Sequence, residues 1–383
     1  MASFHLHEFE LALAERLAAA TANGEALCLR GGGTKDFYGN APRGTVLNLP
    51  ALFGGSPAEL LAAVEYEPSE LVVTAPAVLP LEALESLLAA HGQMLAFEPP
   101  HYAPGGTVGG CVAAGLAGPR RRSAGPAHGG VRDFVLGARL VDARGRVLGF
   151  GGRVMKNVAG YDLSRVLAGS LGVLGAITQV SLKVLPRPLQ ELTLVQECAA
   201  AAGLERVNRW AGQPLPVSAT AWEAGCLHVR LSGAGSAVAA AVAKLGGEPM
   251  AAAAAEKWWA AVRDHRLPFF QGAETLWRLA LPAPAAPLGL DGPQFIEWGG
   301  AQRWLRSALP PDAVRSRAAA LGGHATAFRA GQLDGTVLGE TFPRPAEGVF
   351  TPLSAPLLAI HRRLKAEFDP AGVLNPGRLH VEF

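Results

Sequence analysis

Three glycine-rich stretches interrupt the first half of this chain: Gly31-Gly32-Gly33-Thr34-Lys35, Pro104-Gly105-Gly106-Thr107-Val108-Gly109-Gly110 and Gly169-Ser170-Leu171-Gly172-Val173-Leu174-Gly175. Each lies beside a β-branched or apolar run. Glycine lets backbone N–H groups converge on an anion at close range and positive φ, which is how a pyrophosphate is gripped by backbone. One such loop marks a turn more often than a phosphate; three point to a dinucleotide. The loops do not form a Rossmann site, which requires Gly-x-Gly-x-x-Gly with an acidic residue about 20 positions on. Glycines 169, 172 and 175 have the wrong spacing for it. A P-loop is excluded too, since no Gly-Lys-Ser/Thr occurs.

At 383 residues, 49% hydrophobic and 17% charged, the chain has the size and apolar content for more than one packed domain. Its net charge of +2 carries no electrostatic footprint for nucleic acid. The uncharged stretches 99–119 and 166–182 are broken by prolines, glycines and polar residues and make poor membrane spans. Met1–Glu10 lacks the basic end and apolar run of a signal peptide, so the expected location is cytoplasmic. Cys28, Cys111, Cys198 and Cys226 stand apart without a Cys-x-x-Cys, which argues against an iron–sulfur cluster or structural zinc in this chain. All four read as buried small apolar residues.

Phe9, Leu13 and Leu17 share one face of an opening helix. Strands are expected at Ala26–Leu29 and Leu71–Thr74, and a helix on Leu81, Leu84 and Leu88 ends near Gly92. Cys111–Gly115 is small enough for a helix packed tightly on a cofactor or strand. Val135–Val141 and Arg146–Phe150 flank a hairpin turn at Asp142–Gly145, and Ile177–Leu185 reads as a strand stopped at Pro186-Arg187-Pro188, the expected domain boundary. From about 190 to 345 the chain turns alanine-rich and proline-broken; Trp258, Trp259 and Trp298 read as core or subunit-interface residues. Leu357, Ile360, Leu364 and Phe368 make a final amphipathic helix.

The glycine loops together resemble those of the vanillyl-alcohol-oxidase-type, or PCMH-type, FAD-binding family. There the first two loops grip the pyrophosphate from two sides, and a segment like Gly169–Thr178 lines the adenosine end. Val131–Gly137 is similar to a family segment after the second loop. Lys156–Arg165 and the closing run Phe368–Arg378 resemble the glycolate oxidase and D-lactate dehydrogenase branch. Glu98–Tyr102, Gly115–Arg121, Leu267–Phe270 and Gly322–Thr326 are similar to stretches of that branch's glycolate oxidase FAD-binding subunits.

The resemblance implies an α+β fold. A PCMH-type FAD-binding domain of two α/β subdomains would span 1–188, a smaller α+β cap domain for substrate or interface 189–348, and a C-terminal helix and closing loop returning to the flavin 349–383. It implies oxidation of glycolate, or a similar short 2-hydroxy acid, to the 2-oxo acid. Electrons would pass to an iron–sulfur subunit, beside a second, larger FAD subunit, with membrane contact only through such partners. The scattered cysteines fit that division of labour.

Cofactor contacts implied by the resemblance fall on Arg30, Gly31, Gly32, Gly33, Thr34 and Lys35 in the first loop. In the second they fall on Pro104, Gly105, Gly106, Thr107, Val108, Gly109 and Gly110, followed by Ala114 and Gly115. Gly169, Ser170, Gly172, Gly175 and Ile177 complete the adenosine side, and Asn375 closes the set. Lys35 either offsets phosphate charge or is a solvated loop residue. No histidine occupies 30–35, and Cys111 lies past the second loop, so FAD is expected to be non-covalent.

Oxidising a 2-hydroxy acid needs a cation for its carboxylate and a base for its hydroxyl proton. His324 is the candidate base and Arg329 the candidate carboxylate partner. Longer family members carry a metal-associated His-x-Gly-Asp-Gly-Asn-x-His run in this region, whereas 322–329 here has one histidine and no acid, so no metal is expected. Two readings stay open: a dehydrogenase subunit, or an FAD-binding relay or scaffold whose companion does the substrate chemistry. Arg378 and Asn375 either reach the flavin ring or form turns.

Overall fold

The computed structural model describes residues 2–122, 129–152, 162–329 and 344–383; the stretch Lys156–Tyr161, singled out above, lies outside them. Helix Ala2–Asn23 buries Phe9, Leu13 and Leu17. It lies on an antiparallel five-stranded sheet ordered Glu65–Glu67, Val72–Pro76, Ala176–Lys183, Val135–Val141, Val147–Gly151. The central strand Ala176–Lys183 does not alternate; it is buried on both sides. Its Thr178 hydroxyl donates to the Glu10 carboxylate at 2.7 Å, which also takes the Arg139 guanidinium at 2.6 Å, so the helix is pinned by a buried acid as well as by apolar contact. A separate parallel pair, Leu27–Arg30 with Thr45–Asn48, runs directly into the first glycine loop.

Residues 190–329 build an eight-stranded antiparallel sheet that the composition did not announce. Its order is Glu248–Met250, Gln190–Glu197, Cys226–Gly233, Val217–Glu223, Gln294–Glu297, Gln302–Arg306, Leu276–Ala280, His324–Arg329. The outer face is apolar: Trp277, Leu279, Leu305, Ala325 and Ala327 pack on Val314 and Ala318 of helix Pro311–Ala320. Leu194, Val229 and Leu231 pack on Val238 and Ala241 of helix Gly235–Leu245. The inner face is largely polar. Glu297, Gln302, Ala280 and His324 stand side by side in one row, and Phe295, Trp304, Arg278 and Thr326 in the next. Phe295, Trp304 and Phe328 stand among the polar residues of this face, and Arg303 stands beside Leu279 on the apolar one, which breaks the period-2 alternation that would reveal these strands.

This inner face meets the first half of the chain. Phe37, Tyr38 and Tyr102 enter the seam, with ring centroids 5.5 Å (Phe37–Phe328), 5.2 Å (Tyr38–Phe328) and 5.0 Å (Tyr102–His265) apart. All seven tryptophans are buried or half-buried, so they form no exposed aromatic surface between 190 and 345. Cys111 is buried, but Cys28, Cys198 and Cys226 are only half-buried, which corrects the expectation for those three. Helix Ala355–Phe368 covers only the C-terminal part of its apolar stripe: Phe368 is buried against Phe150, while Leu357 and Ile360 are 50% and 59% exposed. Among the described residues no helix is long and apolar enough to cross a membrane.

Candidate functional site

A cleft of about 500 Å³ opens where the three glycine stretches converge, a size that suits a cofactor. Its walls include Arg30, Gly31, Gly33, Lys35, Thr107, Gly109, Gly110, Ala114, Gly172, Gly175, Ile177 and Asn375. Gly32, Thr34, Pro104, Gly105, Gly106, Val108, Gly115, Gly169 and Ser170 do not line it. Several stand immediately behind it instead. A Cβ on Gly32 would land on the Gly105 carbonyl, so the first two loops touch backbone to backbone. A Cβ on Gly31 would stand 2.6 Å from the Thr107 hydroxyl. Only glycine permits this approach.

The second loop becomes a helix at the cleft wall. Thr107 caps helix Val108–Ala114 by accepting from the Gly110 N–H at 3.1 Å, and Gly115 ends it at φ 65°. The Gly109 N–H donates to the Ala77 carbonyl at 2.7 Å, which anchors the loop to the end of strand Val72–Pro76. The third stretch is held from the C-terminus. The Asn375 side chain accepts from the Leu29 N–H at 2.6 Å and donates to the Leu171 carbonyl at 2.6 Å. Behind it, buried Lys365 donates to the carbonyls of Val173 and Leu374 and to the Asp369 carboxylate, at 2.6–2.8 Å. Asn375 thus forms the turn and lines the cleft. Arg378, also in the wall, donates to the backbone carbonyls of Asn40 and Asp36.

The cleft is cationic at its first loop. Arg30 pairs with Asp36 at 2.6 Å, yet its Nε is buried with no hydrogen-bond partner. Lys35 is half-buried, forms no ion pair among the described residues, and lies 5.8 Å from the Tyr102 ring centroid; burial pushes its pKa down. An orphaned donor, a desolvated ammonium and glycine backbone around one cleft fit a pyrophosphate, whose oxygens accept from all three. The Cys111 thiol is buried and pushed up to about 12 by burial, which makes it inert as a nucleophile.

The candidate catalytic residues are not adjacent. His324 begins strand His324–Arg329 and is exposed; Arg329 ends it, 1% exposed, and donates to the Phe270 carbonyl at 2.8 Å. Five residues of strand put them about 16 Å apart. Sequence reasoning missed Asp36, Ala77, Val78, Leu171 and Arg344 in the cleft wall. Asp36 was legible as the continuation of the first loop; Arg344 reaches the wall from far along the chain and left no local signal.

Comparison with known proteins follows the same division. A family described as FAD binding domain matches residues 8–151. The chain is 43% identical to glycolate oxidase subunit GlcE of Escherichia coli (strain K12), over 98% of both chains. It is 39% identical to glycolate oxidase subunit GlcD of Bacillus subtilis (strain 168) over 23% of this chain and 18% of that one. Alkyldihydroxyacetonephosphate synthase superposes with a TM-score of 0.60 at 14% identity, covering 95% of this chain and 75% of that one, a likeness of fold alone.

Proposed function

This chain belongs to the family of the glycolate oxidase subunit GlcE, and from that premise we propose that it is the FAD-binding subunit of a complex oxidising glycolate, or a similar short 2-hydroxy acid, to the 2-oxo acid. The observation that carries the reading is that the likeness runs end to end, through the glycine loops and the eight-stranded sheet alike. Bound FAD supplies a two-electron acceptor. The chain's part is to hold it: the backbone of Gly31 and Gly33 with the Thr107 hydroxyl around the pyrophosphate, Gly109 and Gly110 leaving it room, Arg30 and Lys35 offsetting its charge, and Gly175 and Ile177 toward the adenine. Asn375 keeps the first strand and the third loop together around it.

The companions of this reading are a second, larger FAD subunit of the GlcD type and an iron–sulfur subunit that takes the electrons onward, with the complex cytoplasmic and touching a membrane only through them. A relay role, with the substrate oxidised on the companion, is favoured by one observation: residues 322–329 hold a single histidine and no carboxylate. Purification of the chain from cells expressing all three subunits, with mass spectrometry of bound cofactors and co-purifying chains, tests the proposal. It expects FAD and both companions; a chain that emerges without flavin overturns it.

A further inference from the structure

We propose that Arg278 binds the substrate's carboxylate, on the inner face of the eight-stranded sheet beside His324. The proposal rests on the reading of this chain as a flavoprotein acting on 2-hydroxy acids, and it assigns the carboxylate site within it.

Arg278 stands in strand Leu276–Ala280, between Trp304 and Thr326 on the neighbouring strands. Its Nε donates to the Gln302 side-chain oxygen at 2.6 Å, and Gln302 is fastened in turn to Glu297. The guanidinium lies 5.4 Å from the Trp298 ring centroid, and its charge favours ionisation of the buried Tyr38 hydroxyl. These contacts fix the fork without neutralising it: among the described residues no carboxylate lies within ion-pair distance of Arg278. The other arginines of this face are committed. Arg306 is bonded to the carbonyls of Phe269, Phe270, Gly272 and Glu274, and Arg230 is paired with Glu98 at 2.9 Å. A positioned guanidinium with free N–H groups and no acid matches a carboxylate, which it takes in two parallel hydrogen bonds.

The placement supplies the second half of the argument. The carboxyl and hydroxyl groups of a 2-hydroxy acid sit on adjacent carbons, so its anchor and its base must be near neighbours. Arg278 pairs across the strands with Thr326 and Ala280 with His324, so Arg278 and His324 are diagonal neighbours on one face, about 7 Å apart. His324 and Arg329, at opposite ends of a strand, do not meet that condition. Lys35 of the cleft wall lies 5.8 Å from the Tyr102 ring, and Tyr102 and Arg278 line one small cavity, so Arg278 stands one aromatic ring away from the cofactor cleft. A small cavity of about 10 Å³ beside Arg278, lined also by Tyr102, Glu297 and Trp304, takes at most one water. Substrate therefore reaches Arg278 from the side of exposed His324.

The test is calorimetric titration of the full-length, FAD-loaded chain with oxalate, a dicarboxylate that cannot be oxidised in the same way, alongside Arg278→Gln and Arg329→Lys. The wild type should bind oxalate, and Arg278→Gln should bind it about 30-fold more weakly, the loss expected for charge-assisted hydrogen bonds, at unchanged flavin content. If Arg278→Gln loses flavin or unfolds, Arg278→Lys, which keeps the charge and loses the fork, takes its place with the same direction of change. Unchanged affinity in the Arg278 variants, or a loss found only in Arg329→Lys, overturns the assignment. An FAD-loaded wild type that binds no oxalate overturns this site and leaves FAD binding standing; a chain that holds no FAD removes both.

Discussion

The Arg230 guanidinium, on the eight-stranded sheet, donates to the Glu98 carboxylate, just ahead of the second glycine loop, at 2.9 Å. Arg120 binds the same carboxylate from the other side. The bond couples the sheet to the loop that walls the cofactor cleft. Burial alone would raise the Glu98 pKa, but the two guanidinium charges outweigh it and hold the carboxyl at about 2. A depressed folded-state pKa means stability that is complete above the unfolded value of 4.5 and lost as pH falls toward 2. Denaturant unfolding of the wild type should weaken through that window. Glu98→Gln should cost about 3 kcal/mol at neutral pH and flatten that part of the profile, because it removes the acid partner of buried Arg230, while Arg120 keeps Glu191. An unaltered profile in Glu98→Gln would remove the carboxylate from the seam.

FAD should come away without covalent attachment. The first loop offers no histidine, and Cys111 is buried with its thiol held protonated. Acid precipitation should leave all the flavin in the supernatant; yellow colour in the washed pellet contradicts the expectation.

Two glycines of the second loop separate ligand effects from folding effects. A Cβ on Gly106 meets nothing nearer than the Thr34 hydroxyl at 3.5 Å, so Gly106→Ala should fold normally, and a fall in its flavin content would report the ligand alone. A Cβ on Gly109 would stand 2.6 Å from the Ala77 side chain and 3.0 Å from its carbonyl oxygen. Gly109→Ala should therefore lose about 1–3 kcal/mol of stability as well as flavin. Thermal melts of the flavin-free variants distinguish the two; equal melting points would mean that the Gly109 contact relaxes freely.

If His324 is the base, turnover should persist below the usual histidine range. The seam behind the ring desolvates it and Arg278 adds a like charge, both of which hold the pKa below 6.5. A base works unprotonated, so the acid limb of kcat/KM should fall below pH 6.5, and Arg278→Gln should move that limb upward on the residual turnover. A limb that stays in place in Arg278→Gln would detach the limb from His324.

What the sequence makes legible follows the range of each interaction. Phe9, Leu13 and Leu17 repeat along one solvated helix, and the Asp142–Gly145 turn is closed by its own residues: Asp142 accepts from the Arg144 and Arg146 N–H groups, and Gly145 takes φ 76°. Such signals are local. The glycine loops were readable for the same reason, since their requirement for close backbone approach is written in the residues themselves. The eight-stranded sheet was not, because Phe295, Trp304 and Phe328 share the inner face with Arg278 and Gln302, and Arg303 sits on the apolar face, so the strands do not alternate cleanly. Leu357 and Ile360 gave a true helix and a misleading face, since among the described residues only the turns near Phe368 find a partner. Arg278 left no local trace, because its meaning depends on Gln302 and Trp298 and on strands paired across the sheet.

The most direct test of the account is anaerobic mixing of the FAD-loaded chain with glycolate, followed through the flavin absorbance. The account predicts that the flavin bleaches, with glyoxylate formed in proportion to the flavin reduced, and that Arg278→Gln bleaches only at far higher glycolate. A flavin that stays oxidised with glycolate, yet is reduced at once by dithionite, would contradict substrate oxidation on this subunit and place it on the companion flavoprotein.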